Sequence, residues 1–108
     1  MKIGDIILIP FPFAELTNKK VRPAVVITET DDKFKDLVVS AISSVVPPRI
    51  SNREIVLKSN RVNNLRVDSV IRVDRIVTLK KEHKIANLGK LSLKELTEFK
   101  IILTEMIK

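Results

Sequence analysis

Cysteine, tryptophan and tyrosine are all absent from this chain of 108 residues. Without Cys there is no disulfide framework, no thiolate zinc site and no cysteine nucleophile, and the composition suits a reducing compartment. The one histidine, His83, cannot supply two imidazoles, which excludes a two-histidine nuclease site within one chain. Two glycines leave nothing from which to build a Gly-rich phosphate loop. No apolar run approaches the ~18 residues of a membrane span, so no membrane partner is expected. The opening Met1-Lys2-Ile3-Gly4-Asp5 carries an early acid and no small-residue cleavage site. No signal peptide is expected from it, and the location implied is cytoplasmic. At this length one domain over residues 1–108 is the expectation, burying roughly 65% of the unfolded surface.

What is present in excess is positive charge. Twenty Lys and Arg stand against thirteen Asp and Glu, a formal net of +7. Residues 1–57 contribute eight against seven and residues 92–108 three against three, while residues 58–91 contribute nine against three. Six of the seven net units therefore lie between Lys58 and Lys90. A polyanion is the natural partner of such a segment. A solvated face that keeps the protein in solution explains the same charges equally well. No aromatic residue interleaves them, since Phe11, Phe13, Phe34 and Phe99 all lie elsewhere. A sheet that stacks bases on aromatic rings is thus disfavoured, whereas a groove that grips phosphate is not.

Val and Ile make up 27 of the 108 residues, and branching at Cβ favours strands. Strands are expected at Ile3–Ile9, Ala24–Glu29, Leu37–Ser43 and Glu54–Leu57. Two more are expected at Val70–Val73 and Arg75–Leu79, or one bent strand spanning both. Pro10-Phe11-Pro12 closes the first, because Pro has no N–H for a central ladder. Ser59–Arg66 is polar and Asn-rich and reads as a loop with room for a helical turn. Strands at this spacing suggest a small barrel or two packed sheets. The period then changes: Leu93, Leu96, Phe99, Leu103 and Met106 repeat at steps of three and four, with Ile102 and Ile107 beside them. Ser92 and Glu95 have the spacing of a capping box, so an amphipathic helix is expected over 93–107. The fold class is mainly β with one C-terminal helix packed across the strands.

Few residues offer chemistry. The tightest acidic run, Glu29, Asp31 and Asp32, falls in a turn between strands. His83 sits among Lys80, Lys81 and Lys84 as a surface side chain. No G-x-S-x-G elbow exists. One cluster stands apart: Lys19-Lys20-Val21-Arg22-Pro23, leading into Ala24-Val25-Val26-Ile27. Pro23 fixes its own φ and biases Arg22 towards an extended backbone, which would aim the guanidinium from the strand end. There it can hold a phosphate through two parallel hydrogen bonds, or simply pair with an acid such as Asp5.

These residues carry a resemblance. Gly4-Asp5-Ile6-Ile7-Leu8-Ile9-Pro10-Phe11-Pro12-Phe13 followed by Lys20-Val21-Arg22-Pro23-Ala24-Val25-Val26-Ile27 resembles the N-terminal half of the MazF/PemK family of toxin ribonucleases. Val38–Ser44 resembles the family's third strand, which ends in a Thr/Ser pair. Leu65–Ile71 resembles its D-S-V strand, Asp74–Lys81 the following segment, and Gly89-Lys90-Leu91-Ser92 the lead into its last helix. The ordered set spans essentially the whole chain.

The resemblance implies a small SH3-like barrel of about six strands with a terminal helix, usually a homodimer, which would double the charge. It implies metal-independent, sequence-selective cleavage of single-stranded RNA, often mRNA, with no cofactor. The ends expected are 2′,3′-cyclic phosphate and 5′-OH. The implied partner besides RNA is a cognate antitoxin protein encoded alongside. Arg22 falls on the family's catalytic Arg and Ser43 on its catalytic Thr/Ser. Lys19, Lys20, Arg49, Arg53 and Arg75 are the phosphate-contact candidates. Loop 14–20 departs from many members in having no Gly, and Glu15 is off register for an acidic residue that some use. Two other readings of the same barrel are a non-catalytic nucleic-acid-binding module and a protein-targeting toxin of the gyrase-poison kind.

Overall fold

The computed structural model of the chain describes residues 1–10 and 20–108. The Phe11-Pro12 stop signal, most of the Gly-less loop and Lys19 lie outside the described residues. Six strands form one antiparallel sheet: β1 (Asp5–Pro10), β2 (Val21–Glu29), β3 (Leu37–Ser43), β4 (Glu54–Leu57), β5 (Ser69–Leu79) and β6 (Ala86–Lys90). A single 3-10 turn, Lys81–His83, joins β5 to β6, and helix α1 (Leu93–Met106) ends the chain. The strand order is β4-β5-β3-β2-β1-β6. The sheet curls into a half-barrel with β4 and β6 as its two edges.

Alternation along the strands sorts the apolar residues onto two faces. Ile6, Val25, Ile42, Ile55, Leu57, Ile71 and Val73 point to the main core, which α1 covers with the fully buried Phe99. Leu96, Ile102, Leu103 and Met106 pack around it at helical spacing. Ile7, Ile9, Ala24, Val26, Leu37 and Val39 form a second cluster on the other face. The capping box closes as the spacing predicts: the Glu95 amide donates to Ser92 Oγ at 3.2 Å, and the Ser92 amide donates to Glu95 Oε1 at 2.8 Å. Leu93 and Ile107, counted in the periodic stripe, are instead exposed at the helix ends.

Strand β5 resolves the choice between two strands and one bent strand in favour of the second. Its pairing with β3 jumps from Ser40↔Ile76 to Ala41↔Arg72, so Val73, Asp74 and Arg75 bulge out of the ladder. Such a bulge bends the strand and sharpens its twist. Ser40, fully buried, donates its hydroxyl to the Val73 carbonyl at 2.8 Å and so ties the bend to β3. The sixth strand is therefore Ala86–Lys90, in a segment with no β-branched residue. It exists because β1 offers an open edge, which it pairs from Asp5↔Lys90 to Leu8↔Ala86. Strand β2 begins three residues earlier than the β-branched run suggests, so Arg22 and Pro23 lie within it. The β2–β3 pairs start at Ala24, just past the residue that has no N–H to donate.

Candidate active site

Arg22 stands on β2 opposite Ile9 of β1. Ser43 ends β3 and stands opposite Val70 of β5. Carrying the Ala24↔Ala41 register two residues outward brings Arg22 level with Ser43 on the neighbouring strand. Arg22 has the parity of Ala24, and Ser43 that of Ala41, Leu37 and Val39, so both belong to the face opposite α1. Directly opposed side chains on adjacent strands have Cβ atoms about 5 Å apart. The β2–β3 pairs end at Ala24↔Ala41, so Arg22 and Ser43 lie at one sheet end, two residues beyond the last pair.

The surroundings of the pair favour an anion. Among the described residues the ion pairs are Met1–Glu29, Arg53–Asp74 and Lys108–Glu105, and none involves Arg22. Asp5, the acid the sequence offers as its partner, accepts instead from the Lys2 amide at 2.8 Å. Ser43 Oγ accepts from the Val45 amide at 3.1 Å. That contact occupies a lone pair and leaves the hydroxyl proton to donate elsewhere.

The phosphate-contact candidates are spread along the sheet. Lys20 is exposed two residues before Arg22, and Arg49 is exposed in the β3–β4 connection. Arg53 and Arg75 both lie at the bend of β5: the Val73 amide donates to the Arg53 carbonyl, Arg53 lies 4.0 Å from Asp74, and Arg75 is part of the bulge itself. The bend is at the level of Ser40, roughly 10 Å along β3 from Ser43 at ~3.3 Å per residue. Sequence reasoning left out Arg72. It faces Ala41, so it shares the Arg22–Ser43 face one row further in. The signal was the alternation Val70-Ile71-Arg72-Val73, in which Ile71 and Val73 are the core residues.

Beside Arg22 the same sheet end opens into a cleft of about 500 Å³. Leu8, Pro23, Leu65 and Leu88 give it apolar walls, and Asn64 and Arg66 give it polar ones. Ser44, not Ser43, borders it. One wall is the Asn-rich loop, which is rigid for a physical reason. Asn63, almost fully buried, accepts from the amides of Asn60 and Leu65 at 3.0 Å each and donates to the Lys58 carbonyl at 2.8 Å. Asn60 Oδ1 in turn accepts from the amides of Val62 and Asn63. The loop is tied to β6 where the Lys90 amide donates to the Val62 carbonyl.

Of the acidic run, Glu29 ends β2, while Asp31 and Asp32 lie in the bend that leads towards β3. Asp32 is held below its ordinary 3.8 mainly by the Thr30 hydroxyl, 2.9 Å away, and further by the amides of Lys35 and Phe34. Glu29 is lowered by its hydrogen bond to the N-terminal ammonium. His83 is exposed in the 3-10 turn. Among the described residues no three His, Asp or Glu side chains gather where a metal ion could be held. No described helix is long and apolar enough to cross a membrane.

Among curated proteins no sequence match to this chain was found. Among solved structures the chain resembles an endoribonuclease in complex with its cognate antitoxin from a mycobacterial species. The TM-score is 0.74 at 13% identity, over 99% of this chain and 94% of that one. It also resembles the Mycobacterium tuberculosis toxin MazF-mt6, with a TM-score of 0.73 at 17% identity over 95% of each chain. At such identities the likeness establishes the curled sheet and terminal helix, not the site. The profile of the PemK-like, MazF-like toxins of type II toxin–antitoxin systems matches residues 2–107. With nearly its whole length matched, the chain belongs to the PemK/MazF toxin family.

Proposed function

We propose that this protein is a metal-independent, sequence-selective endoribonuclease that cuts single-stranded RNA as the toxin of a toxin–antitoxin pair. The observation that supports the reading is the Ala24↔Ala41 register, which, continued two residues outward, sets Arg22 level with Ser43. RNA supplies its own nucleophile, the 2′-OH. The 2′-oxygen bonds to the adjacent phosphorus as its proton passes to water, the bond from phosphorus to the 5′-oxygen breaks, and that oxygen takes a proton from water, so the products carry 2′,3′-cyclic phosphate and 5′-OH ends. Negative charge builds on the non-bridging oxygens during attack. Arg22 meets it with fixed positive charge and paired donors, and Ser43 donates its hydroxyl proton to the same phosphate. Lys19, Lys20, Arg49, Arg53 and Arg75 hold flanking phosphates. The protein acts in the cytoplasm as a homodimer, and a cognate antitoxin restrains it.

The test is incubation of purified protein with a long single-stranded RNA in EDTA, followed by mapping of the ends. Discrete cuts bearing cyclic phosphate are expected. Arg22→Ala should lose at least ~10²-fold in rate, the loss typical of removing one transition-state donor, and Ser43→Ala should lose a comparable factor. Binding without cutting would make the protein a nucleic-acid-binding module instead. Equal cutting by wild type and Arg22→Ala would place the chemistry elsewhere.

A further inference from the structure

We infer that the groove between the β2–β3 turn and the end of β5 is a second nucleotide site, at the far end of β3 from Ser43, where one base of the RNA strand stacks on Phe34 and its phosphates meet Lys80 and Lys81. The inference takes its ligand from the ribonuclease reading and deepens it. The fold brings together what the sequence separates. Phe34 lies far along the chain from the basic segment 58–91, but Leu37 at the start of β3 pairs with Leu79 at the end of β5. That pair sets the turn carrying Phe34 beside Lys80 and Lys81. An open groove of about 600 Å³ lies between them, lined by Lys33, Phe34, Asp36, Lys80, Lys81 and Glu82.

The Phe34 ring is 58% exposed, whereas the other ring among the described residues, Phe99, is fully buried. An aromatic face among ammonium groups suits a single strand, because every base has a face to stack and every nucleotide carries a phosphate. Lys33 Nζ lies 5.2 Å from the centre of the Phe34 ring and keeps positive charge beside a stacked base. Asp36 and Glu82 offer acceptors to base amino groups, and the three lysines outnumber them. The turn holds the ring in place. Asp32 Oδ1 accepts from the Thr30 hydroxyl at 2.9 Å and from the amides of Phe34 and Lys35 at 3.0 and 3.2 Å. The Asp36 amide donates to Thr30 Oγ1 at 2.8 Å and closes the turn. Little ordering is then left for the ligand to impose. The distance suits a strand already held at Arg22. Leu37 and Ser43 end β3, about 20 Å apart at ~3.3 Å per residue. Small barrels track roughly 4–16 nucleotides of single strand, enough to join the two places.

The chain has no Trp or Tyr, so Phe34→Trp puts a lone indole in the groove. Its fluorescence is followed as single strands of 2′-O-methyl nucleotides, whose capped oxygen cannot attack, are added. One strand has about 16 nucleotides and the other about four, the two ends of that span. The long strand should quench the indole at roughly tenfold lower concentration than the short strand or a mononucleotide, because it is held at both places. With long RNA, Phe34→Ala should raise KM about tenfold, within what base stacking is worth, and leave kcat unchanged. Lys80→Gln combined with Lys81→Gln should raise KM in the same way. All three positions are exposed, so the melting temperatures should match that of wild type. Equal quenching by the mononucleotide would make this a site for free nucleotides, and equal quenching by polyglutamate a site for an acidic protein; either overturns the inference. So does an absence of quenching, or a KM unchanged in both variants while wild type cuts, which leaves the ribonuclease reading intact. If wild type does not cut but the long strand alone quenches the indole, the ribonuclease reading fails and the nucleotide site stands.

Discussion

Ser43 and Ser44 are adjacent and chemically identical, yet the sheet treats them differently. Alternation puts Ser43 on the Arg22 face, while Ser44, the next residue, lines the cleft that Arg22 also borders. A one-residue shift in register would exchange them. Ser43 stands opposite Val70 at the end of β3. Acid-dependent behaviour is equally local. Asp32 titrates below 3.8 chiefly because the Thr30 hydroxyl donates to it. Replacing Thr30 by Val should raise the Asp32 pKa towards 3.8, as read by NMR titration of the carboxyl carbon. The sign follows from linkage. A carboxyl lowered in the folded state contributes stability that is full above its unfolded pKa and is lost as pH falls through the folded one. The variant, with a smaller shift, should therefore lose less stability between pH 4 and the folded Asp32 pKa than wild type does.

At the scale of the element, α1 was the most legible part of the sequence. It is long, its apolar period is near 3.6, and its cap residues are spelled out as Ser92 and Glu95. The first four strands were legible from their Val and Ile runs, although β2 begins earlier than its run. Strand β6 was not legible. Ala86-Asn87-Leu88-Gly89-Lys90 has poor strand propensity and is recruited by the edge of β1, a tertiary effect that no local pattern carries. The helix is attached chiefly through Phe99, whose ring is fully buried among Ile, Val and Leu side chains. Phe99→Ala should destabilise the protein by about 3–5 kcal/mol, since the cavity lies between two rigid elements and cannot collapse. Urea titration followed by circular dichroism measures this, with an unchanged slope if the fold is retained.

Across the whole molecule, charge and shape act together. The basic excess of residues 58–91 is distributed over the clamped loop, the bent strand and the turn into β6, all outside the helix. That distribution was readable from sequence as a count, but its relation to Arg22 was not. It depends on the order β4-β5-β3-β2-β1-β6, which sets β3 between β2 and the basic β5. If Lys19, Lys20, Arg49, Arg53 and Arg75 each neutralise one phosphate, the logarithm of RNA affinity should fall with the logarithm of salt with a slope of about −3.5 per chain. Filter binding of an uncleavable single-stranded oligonucleotide between 50 and 200 mM salt gives the slope. A value near zero would return the charge to its role in solubility.

Gly89 is where β6, the clamped loop and the cleft wall come together. A Cβ at this position would run into the Val62 carbonyl and lie 2.9 Å from backbone atoms of Asn63. Those atoms belong to main chain already fixed by the Asn60–Asn63 bonds, so they cannot step aside. Gly89→Ala should cost several degrees of melting temperature and loosen the loop that carries Asn64 and Arg66. If Arg22 carries the chemistry, a selection for cells that survive expression of this protein should return changes at position 89 alongside changes at position 22. The first class of survivor should accumulate less protein and the second should accumulate it normally, so an immunoblot separates damage to the scaffold from damage to the chemistry.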